Sequence, residues 1–211
     1  MKITKIAHSC LLIEEANVRI LTDPGNFSYT AKELRNIDII LITHEHKDHL
    51  DIELLKEILK NNPEAKIITN KSVGKILDKE NVRYEALEDN QKKTEKGILI
   101  EGVGKTHALI HKNIPLVANV GYFINHKLFF PGDELIYPKK PVEILAAPIT
   151  VPWASISETL GYVEKIKPKI CFPIHESVTN LKHLAYNLPQ KILEDQGIKF
   201  IALEEGKSFE D

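Results

Sequence analysis

The N-terminal third of the chain is patterned as strands. Lys2–Ala7, residues 9–15 and Val18–Thr22 are short β-branched or apolar runs; His8 separates the first two, and the turn Asp23-Pro24-Gly25 stops the third. Residues 38–43 (Asp-Ile-Ile-Leu-Ile-Thr) form a continuous apolar run, which predicts a strand buried on both faces. The period then changes. Ile52, Leu55, Ile58 and Leu59 recur at helical spacing, and Asn61-Asn62-Pro63 ends that helix. Farther on, the pattern predicts strands over 65–69, 82–87 and 97–103 and a short helix over 72–79. It also predicts a hairpin of 119–125 and 127–130 with a tight turn at Asn125-His126.

The second half repeats the alternation. Strands are predicted over 142–149, 169–174 and 198–203. Ser155 and Glu158 have capping-box spacing ahead of a helix with Ile156, Leu160, Val163 and Ile166 on its apolar face. Residues 177–194 read as helical, with a kink or break at Pro189, and the chain ends in a charged tail. No sequence repeat is visible. Yet in both halves an apolar strand runs into a histidine and a helix follows, at Thr43-His44 and at Ile174-His175. About eleven strands are too many for one flat sheet, so an α+β or α/β domain of two packed, mixed sheets is expected.

Composition narrows the class. The 211 residues carry 28 Lys+Arg and 30 Asp+Glu, a formal net charge of −2, with 43% hydrophobic residues. This is ordinary globular composition, expected to form a single domain over 1–211. The longest apolar stretches, such as Ile39-Ile40-Leu41-Ile42, fall far short of the ~18 residues of a membrane span. Cys10-Leu11-Leu12-Ile13 is too short for a signal-peptide core. Cys10 and Cys171 lie far apart without metal or redox spacing, as expected of reduced thiols in a cytoplasmic protein. Near-neutral charge argues against a general nucleic-acid or anionic-membrane binder, and Lys92-Lys93 and Lys139-Lys140 read as solvated turns.

The chemistry enters with nine histidines, three of them in Thr43-His44-Glu45-His46-Lys47-Asp48-His49 at the end of the buried strand. Imidazole and carboxylate are the usual ligands of zinc and similar divalent ions. In an extended stretch, residues two apart point the same way, so His44 and His46 can share one ion while Asp48 and His49 face a second. Further ligands are sought at strand ends downstream: His107 after 97–103, Asp133 after Phe130-Pro131-Gly132, and His175 after 169–174. His126 reads as a turn residue and His183 as surface or packing.

His44-x-His46-x-Asp48-His49, then His107, Gly132-Asp133 and His175, resemble in order the metal motifs of the metallo-β-lactamase superfamily. Asp23 in Leu21-Thr22-Asp23-Pro24 matches the acidic residue that ends an early strand there. His8-Ser9-Cys10, residues 106–111 and Pro152-Trp153-Ala154 look most similar to its compact bacterial hydrolases, including the L-ascorbate-6-phosphate lactonase branch. The resemblance implies a four-layer αββα sandwich with a dinuclear site at one edge between the sheets. It implies His44, His46 and His107 on the first ion, Asp48, His49 and His175 on the second, and Asp133 bridging. Asp23 would orient a ligand imidazole from behind. His111, four residues after His107, stays open as the third histidine, although His107 lies nearer the strand end. His111 would otherwise be a substrate contact or structural. For His8 both a pocket role and a core hydrogen-bonding role are open.

Two divalent ions sharing a water need no serine or cysteine nucleophile. The expectation is a metal-dependent hydrolase in which Asp48 accepts and shuttles a proton and His175 or His111 stabilises the oxyanion or protonates the leaving group. Zinc is the first expectation, with manganese or iron equally suited by ligand type. The expected substrate is a small ester, lactone or phosphoester, with Lys105, Lys112, Trp153 and Tyr122 as pocket-rim candidates. The alternatives are a phosphodiesterase or nuclease acting on small nucleotides or short RNA, and a non-catalytic metal-binding protein. No membrane or general nucleic-acid partner is expected; a homo-oligomer is possible.

Overall fold

The apolar run over 38–43 forms the strand Ile39–Ile42, and all four residues are buried. Ile39 and Leu41 enter one apolar cluster while Ile40 and Ile42 enter another, as alternating side chains on a strand must. The computed structural model, which describes residues 1–211, builds two sheets around this principle.

The first half contributes β1 (Lys2–Ala7), β2 (Cys10–Glu15), β3 (Val18–Thr22), β4 (Ile39–Ile42), β5 (Lys66–Thr69) and β6 (Glu85–Ala86). Helices α1 (Ile52–Asn61) and α2 (Lys71–Lys79) connect the last three. The second half contributes β7 (Lys92–Glu95), β8 (Ile98–Val103), β9 (Gly121–Ile124), β10 (Leu128–Phe130), β11 (Ile144–Pro148), β12 (Ile170–Ile174) and β13 (Lys199–Phe200), with α3 (Ile156–Ile166) and α4 (Leu188–Glu194). A last strand, β14 (Ser208–Glu210), returns to the first sheet. The strand orders are β14-β1-β2-β3-β4-β5-β6 and β13-β12-β11-β10-β9-β8-β7. Each sheet is mixed: β3 to β6 run parallel in one and β10 to β13 in the other, with antiparallel pairs beyond. The repeated strand-to-histidine event therefore falls at the C-terminal ends of two inner parallel strands, β4 and β12, where ligand sites of parallel sheets lie.

Three apolar clusters make the four-layer αββα sandwich. One of 22 residues lies between the sheets, including Ile3, Ile39, Leu41, Tyr122, Phe130 and Phe172. A second joins the outer face of the first sheet to Leu54, Leu55 and Ile58 of α1 and Val73 and Leu77 of α2. A third joins the other sheet to Leu160 and Val163 of α3 and Leu193 of α4. Each fully buried Leu or Ile contributes roughly 1.5–3 kcal/mol of burial. The helix starts are set locally: Asp51 caps α1, Asn70 caps α2, and Ser155 with Glu158 forms the expected capping box on α3.

The pattern misjudged the edges. The stretches 82–87 and 198–203 yield only the two-residue β6 and β13. Lys92-Lys93 is strand β7, not a turn: it pairs with β8, where Glu101 meets Lys92, while Lys93 meets Glu85 of β6 and Glu95 meets Lys66 of β5 in the other sheet. The charged tail pairs with β1 as β14. Residues 177–194 are not one helix: a short turn at Glu176–Val178 and a wide turn at His183–Asn187 precede α4, and Pro189 begins that helix. Edge strands half in water show little hydrophobic period, which is why polar β7 and β14 were unreadable.

Candidate metal centre

Asp23, the residue after β3, lies beneath the centre, fully buried. Its carboxylate accepts from the Thr43 N–H at 2.7 Å, from the Thr43 hydroxyl at 2.7 Å and from His49 Nδ1 at 2.6 Å. One acid thus aligns the end of β4 and sets the tautomer of His49, turning Nε2 inward. The chain turns inside the 44–49 motif instead of continuing extended; His49 N–H and Leu50 N–H both bond the His46 carbonyl, and α1 starts only at Ile52. The segment 23–26 packs tightly on this turn. A Cβ on Gly25 would stand 1.9 Å from the Asp48 carbonyl oxygen, so only glycine fits.

His107 donates Nδ1–H to the Ala108 carbonyl at 2.6 Å, which leaves Nε2 facing the centre, 3.4 Å from Asp133 Oδ2. Asp133 follows Gly132 (φ +67°), whose missing Cβ lets Asn119 and Thr43 close on the strand end. Asn119 carries Pro131 O and the Asp133 N–H on its amide, and Trp153 Nε1–H donates to Asp133 Oδ2 at 3.1 Å. Asp133 Oδ1 lies 3.2 Å from His49 Nε2 and Oδ2 lies 3.1 Å from His175 Nε2. Asp48 Oδ2 stands 3.4 Å from His175 Nε2 and 3.8 Å from His49 Nε2.

The donor atoms fall into groups with mutual distances within 4.8 Å: His44, His46 and His107; His44, His49 and Asp133; and Asp48, His49 and His175 together with His8. The residues fit divalent cations. His44 Nε2, His49 Nε2, His107 Nε2 and Asp133 Oδ1 are buried without hydrogen-bond partners, an arrangement costly for a protein unless another group satisfies them. Burial, reinforced by the facing His49, pushes the His44 pKa well down, and burial also lowers His46, so both stand neutral with lone pairs available. For His49, burial opposes charge, but Asp133 and Asp23 outweigh it and push its pKa well up. Burial would raise Asp133 and Asp48, yet the surrounding imidazoles hold both well below the usual carboxylate range. The centre is a cage of histidines around carboxylates, with strong coupling among them.

The structure brings together His44, His46, Asp48, His49, His107, Asp133 and His175, with Asp23 behind and His8 beside Asp48. It places His111 elsewhere: exposed, accepting from the Asn113 N–H at 3.2 Å. Tyr122 is no rim residue; it is fully buried and its hydroxyl donates to the Ile42 carbonyl. Lys105 and Lys112 are exposed, whereas Trp153 touches the centre. His126 sits in the Asn125-His126 turn, both residues with positive φ, and His183 is exposed. A cleft of about 630 Å³ lined by Leu59, Lys66, Arg83 and Tyr84 contains none of these groups. The residues missed from sequence are the supports: Thr43, Asn119, Lys5 and Glu176. Single buried polar residues in strand or loop carry no period or motif.

A family model described as beta-lactamase superfamily domain matches residues 2–175. A Mycobacterium tuberculosis protein whose name carries no activity is 33% identical over 183 residues, 84% of this chain and 85% of its own. A metal-dependent hydrolase of Nanoarchaeum equitans is 26% identical over the full length of both chains. The crystal structure of a protein described as a metal-dependent hydrolase from Parabacteroides distasonis aligns with a TM-score of 0.79 at 25% identity, covering 97% of this chain and 93% of the other. None of the three is named as a lactonase.

Proposed function

The chain belongs to the metallo-β-lactamase superfamily of metal-dependent hydrolases, and from that premise we propose that it cleaves a small ester, lactone or phosphoester at a pair of divalent ions. The observation that carries this reading is the convergence of five imidazoles and two carboxylates with inward-facing, unpartnered nitrogens. His44, His46 and His107 would hold one ion, Asp48, His49 and His175 the other, and Asp133 would touch both. When bound, such ions supply a water acidic enough to ionise near neutral pH and polarise an acyl or phosphoryl oxygen.

The chain's own residues do the rest. Asp48 is the one carboxylate of the centre with appreciable exposure, 26% of its side chain, so it can meet substrate and solvent. It accepts the proton of the attacking water and passes it to the leaving oxygen. His175 Nε2 stands 3.4 Å from Asp48 Oδ2, so both would face the same ion. Trp153 fixes Asp133, and Asp23 fixes His49.

The rim speaks to substrate class. Nine large apolar residues are exposed, and four of them, Leu109, Ile110, Ile114 and Leu116, lie on the segment that leaves His107. Phe27 and Tyr29 follow Asp23, and Val178 and Leu181 follow His175. Leu109, Ile110, Ile114 and Leu116 line a niche with His46 and His107, and Phe27 stacks on His8; apolar surface beside the centre supports a substrate with an apolar body. It speaks against nucleotides or RNA, which call for a basic, stacking track. The two unpaired, buried thiols fit a reducing, cytoplasmic setting, and no helix is long and apolar enough to cross a membrane.

The test is metal analysis coupled to turnover. We expect about two equivalents of zinc, manganese or iron, loss of ester or lactone hydrolysis on chelation, and no turnover by Asp48→Asn with metal retained. Near-normal activity of Asp48→Asn overturns the proton role. A chain that takes up no metal from excess zinc and manganese overturns the whole reading.

A further inference from the structure

We propose that His8 is a further ligand of the ion held by Asp48, His49 and His175; the inference rests on the two-ion reading above. His8 occupies the break between β1 and β2 with φ +54°. This left-handed conformation is uncommon for a residue with a side chain. The backbone N–H of His8 donates to the Ser177 hydroxyl at 3.1 Å, which ties this break to the segment leaving His175. Its ring is 1% exposed, sandwiched between Phe27, stacked at 4.8 Å, and His175 at 4.2 Å.

Neither ring nitrogen of His8 has a hydrogen-bond partner. A core histidine kept for packing satisfies at least one nitrogen, because an unpaired buried polar atom is costly. The distances supply the missing partner. His8 Nε2 lies 3.3 Å from Asp48 Oδ2, with His175 Nε2 at 3.4 Å and His49 Nε2 at 3.8 Å from the same oxygen. Nitrogen and oxygen ligands held tetrahedrally at ~2.0–2.2 Å stand roughly 3.3–3.6 Å from one another. His8 therefore keeps the spacing of a co-ligand of Asp48, matching that of His175. The consequence is an ion that would be held by three imidazoles and Asp48, with Asp133 shared between it and the ion of His44, His46 and His107.

The test compares the wild type with His8→Asn. Asparagine tolerates the left-handed backbone and leaves a polar side chain beside Asp48, but lacks the imidazole lone pair. Metal-free protein is titrated with cobalt(II), reading visible absorption and competition with a chelator; far-UV circular dichroism checks the fold, and His8→Gly serves as the second variant. We expect the wild type to take two equivalents. In the variants the first equivalent is unchanged, and the second weakens by more than about tenfold, at least the scale of losing an outer-shell support. Its visible band changes as well. Independently of any substitution, the cadmium-loaded wild type should give a nitrogen–cadmium coupling at His8 by NMR. Variants that bind both equivalents with wild-type affinity and spectrum, or a wild type without that coupling, overturn the assignment of His8 and leave the two-ion reading standing. A wild type that binds one equivalent overturns both.

Discussion

Lys5 lies wholly inside the molecule, and it makes the sharpest prediction. Its ammonium, 0% exposed, bonds the Pro173 carbonyl and sits 2.5 Å from Glu176 Oε1, itself 4% exposed. Burial pulls the Lys5 pKa down and the Glu176 carboxylate pulls it part of the way back. Pro173 and Glu176 flank the Ile174-His175 pair, and His175 holds a left-handed backbone at φ +69°. The ion pair therefore clamps the turn that aims His175. In Lys5→Met, Glu176 keeps only the Tyr186 hydroxyl, at 3.2 Å, and a carboxylate is stranded in the core. Breaking a buried pair from one side costs about 3–5 kcal/mol. For a chain of this size that lowers Tm by about 6–20 °C. Replacing both partners, as Lys5→Met/Glu176→Gln, removes the stranded charge and restores most of the loss, because neutral substitutes for a buried pair are often nearly neutral in stability. Urea unfolding of the metal-free wild type, both single variants and the double variant gives the coupling free energy directly. A Lys5→Met loss under about 1 kcal/mol, or strictly additive singles, refutes the clamp.

Other expectations concern the centre. His107→Ala should lose about one equivalent of metal while His111→Ala keeps both, by elemental analysis; the reverse result would return His111 to the ligand set. Gly25→Ala drives a Cβ into the Asp48 carbonyl and should cost about 3 kcal/mol or more in urea unfolding, with weaker metal uptake; a wild-type midpoint would contradict the packing. Chelated protein should be most stable near pH 6.5. Burial holds the folded His8 pKa down at about 4, against 6.5 unfolded, so stability drains as pH falls from 6.5 toward 4. Burial also opposes charge on His175, but Asp133 and Asp48 raise its pKa to about 9, so its stabilisation is complete below 6.5 and is lost as pH climbs to 9. Thermal scans of chelated protein that rise steadily across pH 6.5–9 would contradict that coupling.

Much of this protein was legible in one dimension. The unbroken run Ile39–Ile42 declared a strand covered on both sides, and Ser155 with Glu158 declared where α3 begins, because such signals act over a few residues. The spacing of His44, His46, Asp48 and His49 declared chemistry for the same reason. His107, Asp133 and His175 were nominated as strand-end residues and by the resemblance, and His107 was preferred to His111 for lying nearer the strand end.

Tertiary structure shows where those side chains point. His107 turns inward because the Ala108 carbonyl takes its Nδ1–H, while His111 sits on the exposed part of the same segment. His8 and Trp153 reach the centre only because the sheets stack and bring β1, β4, β10 and β12 to one edge. Lys5 and Glu176 are 171 residues apart, and their partnership leaves no mark on the pattern. Hydrophobic period and capping are short-range and repeat, so a linear chain displays them. A buried polar contact is long-range and occurs once, so only the folded chain reveals it.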